Sequence, residues 1–279
     1  MEHNIDIIKL ILNGGNKMDK QNPVIELDLY LIRHGQSYGN VGYEHDNITI
    51  KEANDPYLTP KGVEQAIAAG EYLKEINFDF FYSSALLRAV QTSIEIIEKQ
   101  PEEKILNIQP LLTEIGIEPE YEGVKLDEIR ELWYNSQLAD GVEPSRPLVY
   151  HSTFKHEDDI FDRAEKTMEF LLSKHCKGEK VAVVSHAAFL TILIFHIMGL
   201  KNAPVFDIDI NNTGITRIVF YKKQDNSKEE VIVKENNSLI KKEEKKEITE
   251  PEYKVDIKGQ INLPGIYTMK KSSRVIDVI

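Results

Sequence analysis

The segment Leu29-Tyr30-Leu31-Ile32-Arg33-His34-Gly35-Gln36-Ser37 is an apolar, β-forming run that stops abruptly at Arg-His-Gly. Arg33 carries a permanent charge on a planar fork suited to phosphate oxygens, and His34 is a potential nucleophile. Gly35 lacks a Cβ and leaves room for a ligand to approach the backbone. A second strand-like run, Val181-Ala182-Val183-Val184, ends in Ser185-His186. A third, Phe78 to Tyr82, ends in Ser83-Ser84, with Arg88 about one helical turn further on. These runs are expected to deliver both histidines and both arginines to one edge of a sheet, the edge where open α/β sheets bind ligands.

The elements that must do this positioning are readable in outline. Residues 24–32 alternate as a strand should. Thr59-Pro60 reads as an N-cap followed by proline at the first helical position, opening a helix that runs toward Lys74. Residues 78–82 predict a strand. Ser83 or Ser84 is expected to cap a helix from Ala85 to about Lys99, ending before Pro101. Arg88 then falls in its opening turn, where free N–H groups favour an anion. Residues 105–108 predict a short strand leading toward Glu114. Residues 124–150, with Gly141, Pro144 and Pro147, read as an irregular insertion over the sheet edge. Ile160, Phe161, Ala164, Met168, Leu171 and Leu172 form a helical stripe between Asp158 and Cys176. A strand at 180–184, a helix from Ala187 to Met198, and closing strands from Ile215 to Tyr221 and from Val231 to Val233 follow. The alternation predicts an α/β protein, a three-layer α/β/α sandwich on a mostly parallel sheet.

From about Ile25 to Ile240 the chain resembles the histidine phosphatase superfamily, also called phosphoglycerate mutase-like. The motifs are Arg33-His34-Gly35-Gln36-Ser37 with Asn40, Leu58-Thr59-Pro60-Lys61-Gly62-Val63-Glu64-Gln65-Ala66, Ser83-Ser84 through Arg88-Ala89-Val90-Gln91-Thr92, Leu112-Thr113-Glu114, and Val184-Ser185-His186. The resemblance implies phosphoryl transfer through a covalent phosphohistidine, with no metal and no cofactor. It makes His34 the nucleophile, although the spacing alone leaves His34 and His186 interchangeable. Arg33 and Arg88 would clamp the phosphoryl oxygens and His186 would stabilise transition-state charge. Glu114 would act as general acid and then as base. The residues after Glu114 are Ile115-Gly116-Ile117-Glu118-Pro119-Glu120-Tyr121-Glu122-Gly123, a spacing shifted from the family's usual glycine and aromatic-Glu-Gly group, which keeps Glu118 as an alternative acid. Asn40, Ser37 and Gln36 are candidates for phosphate contact or for loop chemistry.

The chain has 279 residues with 41% hydrophobic content, enough for one large domain plus appendages. A net charge of −12 argues against a nucleic-acid surface and requires any phosphate-binding cations to be gathered locally. A lone cysteine, Cys176, excludes an intrachain disulfide and suits a reducing, cytoplasmic setting. No apolar run approaches the ~18 residues of a membrane span. His151, His156, His175 and Cys176 lack the spacing of a structural zinc site. His151 and His156, with Arg146 and Lys155, are either entrance residues or exposed positions on the insertion.

The domain reading is an N-terminal extension at 1–23, the histidine phosphatase domain at 24–240, a charged linker at 241–252 and a tail at 253–279. The extension reads as a loose helix or an overlong start, with Met18 as another possible start. The tail resembles the first half of a soluble-ligand-binding β-grasp domain, too small to bury a core alone. The expected function is metal-independent hydrolysis of a small phosphomonoester, with a small phosphorylated metabolite as partner. The alternatives are a cofactor-dependent phosphoglycerate mutase, and a non-catalytic phosphate-binding or docking module. Oligomeric state is left open.

Overall fold

The computed structural model describes residues 5–12, 24–144, 147–152, 157–200, 209–221, 252–257 and 265–270. The elements begin with β1 (Ile5–Leu12), β2 (Ile25–Arg33), the short helices α1 (Tyr38–Val41) and α2 (Ile50–Asn54), and α3 (Pro60–Leu73). Next come β3 (Phe80–Ser83), α4 (Leu87–Ile97), β4 (Leu106–Ile108), α5 (Leu126–Leu132) and β5 (Ser136–Leu138). The chain continues with α6 (Glu157–Lys174), β6 (Glu179–Ser185), α7 (Ala187–Ile197), β7 (Ile215–Tyr221), β8 (Glu252–Ile257) and β9 (Gly265–Lys270). A 3₁₀ turn, Pro110–Leu112, leads from β4 toward Glu114.

The sheet order is β5-β4-β3-β6-β2-β7, continued by β1-β8-β9. From β5 to β2 every neighbour is parallel. β7 runs antiparallel to β2. Strand alternation assigns side chains to two cores, one on each face. Leu27, Leu29, Leu31, Val181 and Val183 pack with α6 and α7 residues such as Ile160, Leu171, Phe189 and Leu193. Tyr30, Ile32, Phe81, Ala182 and Val184 pack with α3 and α4 residues such as Ala69, Leu73, Val90 and Ile96. Truncating one of these, such as Leu31→Ala, costs about 2–5 kcal/mol. Asp28 is the buried charge in β2. It receives two 2.8 Å bonds from the Arg217 guanidinium on β7.

Thr59 caps α3 by accepting from Gly62 N at 3.1 Å, with Pro60 at the first position, as its sequence predicts. Gly70 lets α3 lie close to α4, since a Cβ there would press on Glu95 O and Ile96. α4 starts at Leu87, two residues later than expected, and no adjacent side chain caps it. Ser84 Oγ instead accepts from Leu86 N, and Leu87 N donates to the distant Asp55.

Residues 124–150 are more regular than their composition suggests. They contain α5, and β5 pairs parallel with β4, so part of this segment is the sheet edge itself. Residues 5–12 form a strand rather than a helix, pairing parallel with β7 and antiparallel with β8. β8 and β9 pair antiparallel, so these tail segments obtain their backbone partners from the sheet through β1. The expected strand at 231–233 and the linker core lie outside the described residues. Among the described residues, no helix is long and apolar enough to cross a membrane.

Candidate active site

β2, β6 and β3 are parallel neighbours, so their C-terminal ends share one edge. The ladder continues past the strands: His34 N donates to Ser185 O at 3.0 Å and Ser84 N to Val184 O at 3.1 Å. These bonds bring the Arg33-His34, Ser185-His186 and Ser83-Ser84 turns together. The two imidazole rings face each other with centroids 5.1 Å apart. His34 is 3% exposed and His186 0%, so both sit at the floor of the site rather than on its rim.

His34 Nδ1 lies 2.6 Å from the Gly35 carbonyl, which can only accept. The ring proton is therefore on Nδ1, and Nε2 keeps its lone pair. Burial, and then the Arg88 charge, hold the His34 pKa well below the usual histidine value, so the ring is neutral near pH 7. The loop before β7 holds this residue from behind. Thr213 N donates to both Arg33 O and His34 O, and Asn212 Nδ2 donates to His34 O at 3.1 Å. Thr213 has φ of 57°, a costly conformation for a β-branched residue and one that these two bonds require it to hold. On the other side Gly35 N donates to Thr92 Oγ1.

His186 Nε2 lies 2.9 Å from Ser84 Oγ. The same Ser84 Oγ accepts the Leu86 N–H, so one hydroxyl ties the His186 ring to the start of α4. The His186 Nδ1 is buried and bonded to no described group. Burial, and then Arg88, hold His186 neutral as well.

The arginines flank the rings. Arg33 Nη1 donates to Ile210 O at 2.5 Å, while its Nε is buried and unpartnered. Arg88 is fully enclosed; it donates to Asn54 O at 3.1 Å and lies 3.7 Å from Asp55 Oδ1. Asp55 also accepts from Leu87 N at 2.6 Å and from Tyr121 OH at 2.8 Å. Its burial outweighs these partners and raises its pKa to about 6. Ser84 belongs to a motif legible in the sequence, whereas Asp55, Asn54, Tyr121 and Asn212 support the site without any such signal. No local pattern marks them, since each acts across more than thirty residues of chain.

Glu114 lies at the N-terminus of α7. Its carboxylate accepts from Phe189 N at 3.0 Å, Ala188 N at 3.3 Å and Ile115 N at 2.9 Å. Its charge also acts on Arg33 and Arg88. Glu118 is exposed, and its backbone N donates to Asn54 Oδ1. The remaining candidates are bound into the loop. Asn40 Oδ1 accepts from Ser37 N and Ser37 Oγ, and from Asn212 Nδ2. Gln36 Oε1 accepts from Thr59 Oγ1 at 3.0 Å. His151 is exposed and bonds Tyr121 O, whereas Arg146, Lys155 and His156 lie outside the described residues.

Comparison with known proteins bears on this arrangement. The profile of the histidine phosphatase superfamily (branch 1) matches residues 29–231. The chain belongs to that superfamily. It is 30% identical over 200 residues to the 2,3-bisphosphoglycerate-dependent phosphoglycerate mutase of Methylobacterium radiotolerans, covering 67% of this chain and 86% of that protein. It is 29% identical over 192 residues to the enzyme of the same name from Bartonella henselae, covering 65% and 86%. Among solved structures, phosphoglycerate mutase from Bacillus anthracis matches with a TM-score of 0.45 at 23% identity, covering 72% of this chain and 94% of that one.

In this member of the superfamily the edge therefore gathers a neutral imidazole protonated on Nδ1, a second buried neutral imidazole, the buried Arg88 guanidinium and the half-buried Arg33 guanidinium. A carboxylate stands beside them at a helix N-terminus. The set combines a nucleophile, fixed positive charge and a group able to carry a proton, the components that phosphoryl transfer needs.

Proposed function

We propose that this histidine phosphatase hydrolyses a small phosphomonoester through a phosphohistidine on His34, with no metal in the step. His34 Nε2 attacks phosphorus in line and the P–O bond to the alcohol breaks. Glu114 gives its proton to the departing oxygen. Arg33, Arg88 and the His186 N–H hold the three equatorial oxygens as charge builds on them; one such fixed donor is worth about 3 kcal/mol of barrier. Glu114 then takes a proton from water, whose oxygen attacks phosphorus and breaks the P–N bond. Phosphate leaves and His34 is regenerated. The observation that carries this reading is the Nδ1 bond from His34 to the Gly35 carbonyl, which leaves Nε2 unprotonated on a ring that the Arg88 and Arg33 charges act on.

A second reading, phosphoglycerate mutation, is favoured by the names of the two relatives above. A mutase must hold a carboxylate as well as a phosphate. Here the loop after Glu114 is tied to Asn54 and Asp55 and exposes Glu118, Glu120 and Glu122, which oppose a second anion. Hydrolysis of an ester with an uncharged alcohol fits that rim better. Phosphorus NMR decides between the readings. With 3-phosphoglycerate and a trace of bisphosphoglycerate, and separately with simple phosphomonoesters, inorganic phosphate is expected as the accumulating product. Faster appearance of 2-phosphoglycerate than of phosphate would replace the hydrolase reading.

A further inference from the structure

Arg163, midway along α6, is the largest fully buried side chain among the described residues, and its Nε, Nη1 and Nη2 are all enclosed with no hydrogen-bond partner. Its guanidinium carbon lies 4.2 Å from the ring centroid of Phe189 and 5.2 Å from that of Tyr150. Burial pushes its pKa down to about 10, and the Glu114 carboxylate is the main charge acting the other way. Stacking on aromatic faces contributes ~1–2 kcal/mol, whereas enclosing a cation costs several. Methionine would fill the same space without that cost, so packing alone does not account for an arginine here.

The two rings that enclose Arg163 belong to residues whose backbones grip the acidic motif. Phe189 N donates to Glu114 Oε1 at 3.0 Å, and Tyr150 N donates to Thr113 Oγ1 at 3.1 Å. Two residues further on in each segment, Gly116 N donates to Ser152 O at 2.8 Å. The cation thus joins the N-terminus of α7 to segment 147–152, with Thr113 and Glu114 held by both.

We propose that Arg163 is a positioning residue for Glu114: its guanidinium, held between Tyr150 and Phe189, fixes the two elements that orient the carboxylate. This rests on the reading of Glu114 as the proton donor to the leaving group. The Arg163 charge reaches His186 as well, so the proposal requires that its loss weaken proton donation much more than the phosphate clamp of Arg33, Arg88 and His186.

The test compares full-length wild type, Arg163→Met, Arg163→Lys, Glu114→Gln and the Arg163→Met/Glu114→Gln double variant on glycerol 2-phosphate and on 4-nitrophenyl phosphate. Inhibition by inorganic phosphate reads the clamp. Arg163→Met is expected to lower kcat on the alkyl ester about ten- to hundredfold and on the nitrophenyl ester less than about threefold, because a phenolate leaves with little help. Phosphate inhibition is expected to stay within about twofold, Arg163→Lys to recover most of the loss, and the double variant to be no slower than Glu114→Gln. Equal loss on both esters, weakened phosphate inhibition, or additive losses in the double variant overturns the proposal. If Arg163→Met does not fold, the smaller loss in Arg163→Lys decides by the same criterion, selective or not. If Glu114→Gln is selective and the Arg163 variants are not, only Arg163 loses its role. If Glu114→Gln itself is indifferent to the leaving group, the acid assignment falls and takes this proposal with it.

Discussion

In the proposed reaction His34 owes its reactivity to a hydrogen bond to a backbone carbonyl, not to a neighbouring base. The Gly35 carbonyl holds the proton on Nδ1, burial keeps the ring neutral, and Nε2 is free. Glu114 has the complementary task, and its importance depends on the alcohol expelled. Glu114→Gln is expected to slow turnover of alkyl phosphates by about 10²-fold or more and of 4-nitrophenyl phosphate far less. If Glu118→Gln shows that selective loss instead, the acid is Glu118. Asp55 makes a different prediction, on stability. Its carboxyl is raised to about 6 by burial in the native state, so it binds a proton more tightly there than in the unfolded chain. The sign is that of a raised group. Its stabilising contribution is complete below about pH 4 and is lost as pH rises through about 6. Asp55→Asn lacks this dependence. The stability advantage of wild type over Asp55→Asn in urea titrations is therefore expected to grow by on the order of 2 kcal/mol between pH 7 and pH 4. A difference independent of pH would contradict the burial argument.

At the scale of elements, the site depends on how closely α3 approaches the loop after β2. A Cβ at Gly62 would collide with Gln36 O, and one at Gly35 with Gly62 O. Gly62→Ala is expected to cost about 2–4 kcal/mol of stability and to lower kcat by displacing His34, read by melting and by turnover on one ester. Unchanged melting would show that the loop gives way freely. The residues meeting here were legible in sequence because apolar runs end directly in chemistry-bearing residues, so β2, β3 and β6 announce both strand and cargo. Thr59-Pro60 announced α3 through local capping. What was not legible acts at a distance. Leu87, whose cap is Asp55 on another loop, could not be placed from its neighbours, and α4 begins later than Ser83-Ser84 suggest. β5 was hidden because Ser136-Gln137-Leu138 has little strand character of its own and is fixed by pairing with β4. Residues 5–12 alternate imperfectly around Asp6 and Lys9, and it is β7 and β8 that settle them as a strand.

Across the whole molecule, a chain of net charge −12 brings Arg33, at the end of β2, and Arg88, in the first turn of α4, to one sheet edge. Burial makes those few charges effective against an anion that the surface as a whole repels. We propose that the phosphatase domain ends near residue 240 and that the tail serves no step of turnover. The site lies at the ends of β2, β3 and β6, and the tail strands join the sheet through β1, beyond β7. Cutting after Lys242 is expected to leave kcat within about twofold of the full chain; loss of more than half the activity would show that the tail supports the site. The covalent intermediate is tested most directly by trapping. Enzyme mixed briefly with substrate, quenched in alkali and digested is expected to carry an acid-labile phosphate on the His34 peptide, in an amount approaching one per active chain and absent from His34→Ala. Phosphate on His186, or turnover by His34→Ala at the wild-type rate, would contradict the account.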